Sequence, residues 1–163
     1  MSRARAINAW LLLSIVVASV LTLIAVPESL RVLRPFWLAL VLIYWTIEAP
    51  EHYGLGFAFA LGLLQDVLVG TLLGEHAFRL AIIGFIVLRF RSRMRFFPMW
   101  QQALAVGALL LNDRIVVLLL RAIAGDFAID WRYWLAPLVG AALWPWVFLL
   151  LDDLRSRGRQ RES

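Results

Sequence analysis

Cysteine is absent from the 163-residue chain, and so is lysine, all 16 basic residues being arginine. Without cysteine, neither a disulfide framework nor a thiolate metal site is available. Histidine is scarce. The two histidines, His52 and His76, fall near opposite faces of the layer described below, which argues against one shared metal site. The Glu51-His52 and Glu75-His76 doublets are adjacent pairs, not two histidines on one helix face, and read as interfacial polarity. No G-x-S-x-G elbow, P-loop or dinucleotide fingerprint occurs. Of the seven serines, Ser14 and Ser19 fall inside an apolar run, and neither has a histidine at matching depth to act as its base. Connecting segments of at most roughly fifteen residues leave no room for a soluble catalytic domain. An enzyme is not expected, and no cofactor or metal is implied.

What the chain has in abundance is hydrocarbon. Hydrophobic residues make up 63% of it and the mean hydropathy is +0.82, far above an ordinary soluble domain. The net charge of +5 would suggest nucleic acid in a soluble protein. Here the arginines lie mostly between apolar runs, so no nucleic-acid partner is expected and membrane orientation is the simpler account. Backbone groups in lipid must be satisfied within a segment or a closed barrel. Continuous apolarity without alternation selects helices. The expectation is an all-α, polytopic membrane protein, residues 1–163 forming one domain with six spans at about 8–26, 33–49, 54–74, 76–90, 99–120 and 132–151. The second and fourth runs are short for a span of about 20 residues.

Arginine placement gives the orientation, because loops on the cytoplasmic side are enriched in arginine and lysine. With the N-terminus inside, ten arginines fall on inner segments, including Arg89, Arg91, Arg93 and Arg95 in one "RFRSRMR" loop, against five on the outer side. Both termini are therefore expected in the cytoplasm. The loop reads first as a topology signal, and it could also bind anionic lipid. The C-terminal "RSRGRQRES" reads as a frayed basic tail.

Two stretches look like helix contacts. Gly54, Ala58, Gly62, Asp66, Gly70 and Gly74 recur every four residues, and three successive members cover about 80° of a helix. This is a small-residue groove with an acid in its middle, suited to close helix approach, unless the glycines break the run into a kinked or re-entrant segment. The second stretch is "LLLNDRIVVLLL", residues 109–120. Asn112 returns to within about 20° of Gln101, with Ala105 and Ala108 on the same face, while Asp113 and Arg114 point about 100° and 200° away. Arg114 is near enough to the outer end to reach the interface. Asp113 is not, so it should turn into the bundle and meet a basic or hydrogen-bonding group. The candidates are Arg79, in competition with its own i−4 neighbour Glu75, or a basic group on another subunit.

The segment from Pro35 to Gln101, with "PFWLALVLIYWTI", "GLGFAFALGLLQDVLVGTLLGEHAF" and the arginine loop leading to "RFFPMWQQ", resembles the bacterial rod shape-determining protein MreD family. The specific part is "GLLQDVLVGTLLGEH", where the family's glycines and aspartate match Gly62, Asp66, Gly70 and Gly74. The resemblance implies a non-enzymatic inner-membrane subunit of the cell-wall elongation machinery. It would pair with the bitopic protein MreC and work alongside MreB, RodA and a transpeptidase in peptidoglycan synthesis. It also implies a six-helix fold like that of the substrate-binding subunits of energy-coupling-factor transporters.

Two functions follow as expectations. In the first, a scaffold accepts a partner's transmembrane helix at the Gly62–Gly74 groove or the Gln101–Asn112 stripe. In the second, a vitamin-type transporter subunit lines a solute cavity with Asp66 and Asp113. Short outer loops favour the scaffold.

Overall fold

The structure is a computed structural model that describes residues 3–126, 128 and 130–160. Seven α-helices follow one another: α1 (Arg3–Leu23), α2 (Glu28–Arg31), α3 (Trp37–Glu48), α4 (Leu55–Val69), α5 (Glu75–Met94), α6 (Met99–Ile123) and α7 (Leu135–Gln160). A single 3-10 turn, Trp131–Trp134, leads into α7. No strand occurs among the described residues. Apart from the one-turn α2, the helices correspond in order to the six expected apolar runs. Two segments, Met99–Ile123 and Trp131–Gln160, are long and apolar enough to cross a bilayer.

α3 is the centre of the bundle. Every residue from Leu38 to Ile47 is buried, as suits a helix apolar on all sides. α1, α5 and α7 wrap it. Twelve residues rise only about 18 Å, short of the roughly 30 Å hydrocarbon layer. A helix shielded on all sides by its neighbours need not meet that length. This resolves the shortness of the second run. α1, α4, α6 and α7 carry the lipid-facing character, with exposed Leu12, Val67, Leu104 and Leu149 among many others.

Two antiparallel hairpins are built on small residues. α4 packs along α5, where Gly62 lies so close that a Cβ there would fall 2.2 Å from the Cα of Ala77, and Ala58 meets Gly84. α6 packs along α7 in the same manner, Gly107 against Ala141 and Gly140 against Leu110. Close backbone approach of this kind supplies dispersion contact where no hydrophobic effect drives association.

Three boundaries depart from expectation. The third run was expected to stay helical to Gly74, but α4 stops at Val69 because Gly70 adopts a left-handed φ of 74° and caps it, the common way for a helix to end. Gly74, at φ 104°, then opens α5. These two glycines are therefore turn residues, and the alternative in which the glycines break the run is the one realised. At the other terminus the expected frayed tail is helical through Gln160. It is held down by tertiary contacts: Arg155 pairs with Glu48, and Gly158 lies against the indole of Trp10. Finally, the expected arginine loop is largely helical, because α5 runs on to Met94 and carries Arg89, Arg91 and Arg93.

Candidate functional site

The polar groups inside the bundle fall into two clusters. The first begins at Asp66, in the last turn of α4 and 1% exposed. Its carboxylate accepts the backbone N–H of Gly74 (2.8 Å), that of His76 (2.8 Å) and, more distantly, that of Ala77 (3.4 Å). Thr71 Oγ1 donates to it at 3.0 Å, and the His76 Nδ1 lies 2.8 Å from Oδ1. The first N–H groups of any helix lack intrahelical acceptors, and a negative charge suits the positive end of the helix dipole. Asp66 is thus the cap of α5, supplied from the neighbouring helix. The Gly70–Gly74 turn is what folds α5 back far enough for this, and Gly62 lets the two backbones meet one turn earlier.

One turn into α5, Arg79 takes up the charge on α6. Its Nε and Nη2 donate to the two oxygens of Asp113 at 2.8 and 2.6 Å, a bidentate geometry that guanidinium suits. Glu75, the expected competitor, stands 3.9 Å away, so Arg79 serves both acids and Asp113 holds the closer place. The ring of Phe36, at the entry to α3, lies under the guanidinium at 4.6 Å and meets His76 edge-on at 5.8 Å. Phe36 thereby ties this layer to the central helix. Arg114, the third member of the polar triplet, stacks over Tyr133 at 4.4 Å, while the Tyr133 hydroxyl donates to the Arg114 carbonyl.

The second cluster lies toward the opposite end. Gln102 donates from Nε2 to the Met94 carbonyl and accepts the indole N–H of Trp144 at 3.0 Å. Arg155 pairs with Glu48, and Tyr44 donates to Asp152 at 3.2 Å. Tyr53 donates to Asn8, and the Trp45 indole donates to Ser14.

Of the residues expected to make contacts, Gly62, Asp66 and Asp113 are therefore satisfied within the chain, Gly70 and Gly74 shape a turn with open space around them, and Arg114 rests on Tyr133. The buried glutamine of α6 is Gln102, not Gln101, which is half-buried. A signal for it existed in the run of large buried residues, Val106, Leu109, Leu110, Asp113 and Val117, whose face includes position 102 and excludes 101. Asn112 is different. It lines an open groove of about 410 Å³ between α5 and α6, together with Ala105 and Ala108 on α6 and Phe90 and Arg93 on α5. Of Arg89, Arg91, Arg93 and Arg95, Arg93 is the one that lines the groove, and none of the four forms an ion pair among the described residues.

Among the described residues the bundle is all-helical, two of its segments are fit to cross a bilayer, and its buried charges tie helix to helix. The chain belongs to the rod shape-determining protein MreD family: the family model of that description matches residues 4–154. It is 33% identical over 142 residues to the Rod shape-determining protein MreD of Haemophilus influenzae (strain ATCC 51907 / DSM 11121 / KW20 / Rd), covering 87% of this chain and 88% of that protein. No solved structure matches it. Membership makes it a rod-shape-determining protein of the bacterial inner membrane.

Proposed function

We propose that the protein is a non-enzymatic, six-span subunit of the wall-elongation machinery, with both termini cytoplasmic, that binds an MreC-type bitopic protein. Through that partner it links cytoplasmic MreB to the peptidoglycan synthases, RodA and a transpeptidase. The observation that carries this reading is the internal pairing of the two acids a transporter would need. Asp66 is committed to the start of α5 and Asp113 to Arg79, so neither is free to receive a solute. The arginine asymmetry supports the orientation, and the unpaired Arg89–Arg95 row would then face the cytoplasmic leaflet. The kinship with energy-coupling-factor binding subunits belongs to the same reading and rests on the family resemblance.

The test is to cross-link the tagged chain in native membranes, purify it in mild detergent and identify its companions. Recovery of an MreC-type bitopic protein with wall synthases supports the assignment. Recovery of ATPase subunits, or of a stoichiometric small organic ligand, overturns it in favour of transport.

A further inference from the structure

The α5–α6 groove has features that plain lipid contact leaves unsatisfied. α5 packs closely on α4 and α6 on α7, while α5 and α6 meet less extensively and leave an open groove between them. The volume of about 410 Å³ is comparable to one turn of a helix with its side chains, about 10 Å in diameter and 5.4 Å in pitch, so the groove would receive a short stretch of a longer helix. At mid-length of α6, Asn112 turns its amide into this space with no hydrogen-bond partner among the described residues. An acyl chain offers an amide nothing, and polar groups within hydrocarbon are costly unless met. Nearer the basic end, Arg93 lines the same groove without a counter-charge. No acidic residue lines it.

We infer that this groove seats a single transmembrane helix of a bitopic partner, one that presents an amide or hydroxyl to Asn112 and a carboxylate to Arg93. The inference rests on the reading above that such a partner exists, and adds where it binds and what its helix must carry. The register follows from geometry. Gln102 bonds to the Met94 carbonyl, which sets those two residues at one level. Asn112 lies ten residues, about 15 Å, further along α6, and Arg93 is about 1.5 Å from Met94 along α5. Side chains on helices lean toward their own N-termini. In this antiparallel pair that brings the Arg93 head and the Asn112 amide toward each other, to a separation of roughly two helical turns, about 11 Å. On a helix that is seven or eight residues, a spacing that returns to the same face. A partner helix with an acid and an amide or hydroxyl at that interval is the expected occupant.

The absence of native cysteine makes the test direct. Single cysteines are placed by Ala108→Cys and Asn112→Cys in the groove and by Val16→Cys on the exposed face of α1. Each is co-expressed in membranes with the MreC-type partner carrying a cysteine scan of its helix, followed by oxidation. The inference expects disulfides from positions 108 and 112 to one face of the partner helix, three or four residues apart, and few from position 16. Asn112→Leu, judged folded by unchanged thermal unfolding, should weaken association about threefold and at most about twentyfold, the span measured for hydrogen bonds between membrane helices. A partner that co-purifies but cross-links only through position 16, or is indifferent to Asn112→Leu, overturns the docking site and leaves the proposed function standing. Failure of any bitopic partner to co-purify with the unmodified chain overturns both. Phospholipid retained in the groove, with no helix cross-linked there, overturns the inference in favour of a lipid site.

Discussion

Arg79 grips Asp113 with both edges of its guanidinium fork, Nε to Oδ1 and Nη2 to Oδ2, across 34 residues of sequence. This pair fastens the α4–α5 hairpin to α6 near one end of the bundle, as the Gln102–Met94 hydrogen bond joins α6 to α5 near the other.

Breaking it from one side leaves the other charge stranded. Asp113→Leu is expected to destabilise the bundle by about 3 to 5 kcal/mol, the usual result of removing one partner of a buried pair. Asp113→Asn, which keeps the shape and one acceptor, should cost less. Arg79→Met combined with Asp113→Leu should recover most of the loss. Thermal unfolding of the four proteins in detergent closes the cycle, and strict additivity of the two single changes would contradict the pairing.

Gly62 should tolerate no side chain. Its Cβ would lie 2.2 Å from the Ala77 backbone, and backbone cannot yield as a side-chain tip does. Gly62→Ala is expected to cost at least the roughly 1 to 3 kcal/mol of core overpacking. Gly56→Ala, in open space on the same helix, should be neutral within measurement. Equal stability of the two variants would refute the close approach.

Gly70 is sensitive for another reason. Its left-handed backbone disfavours Leu by about 1 to 2 kcal/mol, with nothing nearby to clash. Asn tolerates that region better, so Gly70→Asn should retain more stability than Gly70→Leu. If Asn and Leu are equally harmful, the turn conformation is not what matters at this position.

Gln102→Leu removes the acceptor of the Trp144 indole N–H and the donor to Met94. An unmet buried group costs about 1 to 3 kcal/mol. Adding Trp144→Phe should cost less in this background than in the unmodified chain, which unfolding midpoints would register.

Much of this was legible beforehand because hydrophobic runs and charge placement obey short-range rules. The six helices follow from the apolar runs, and the inward turn of Asp113 and its meeting with Arg79 follow from the cost of a lone acid in hydrocarbon. The Gly62 contact follows from the four-residue spacing. What stayed hidden depends on the third dimension. Gly70 ends a helix in the middle of an apolar run, and only its φ distinguishes a turn from a packing face. Asp66 looked like a groove residue because three of its partners, the N–H groups of Gly74, His76 and Ala77, are backbone and carry no residue-type signature. The tail beyond Leu151 is helical because Glu48 and Trp10 lie beside it, 107 and 148 residues away in the chain.

The fully enclosed α3 also bears on biosynthesis. A segment of twelve helical residues is too brief to rest stably in a bilayer by partition alone, and two of its three main neighbours, α5 and α7, are made after it. As the chain leaves the ribosome, α3 must wait at the membrane, poorly accommodated, until the rest of the protein arrives to surround it. α7, made well after α3, is therefore among the helices that complete its housing.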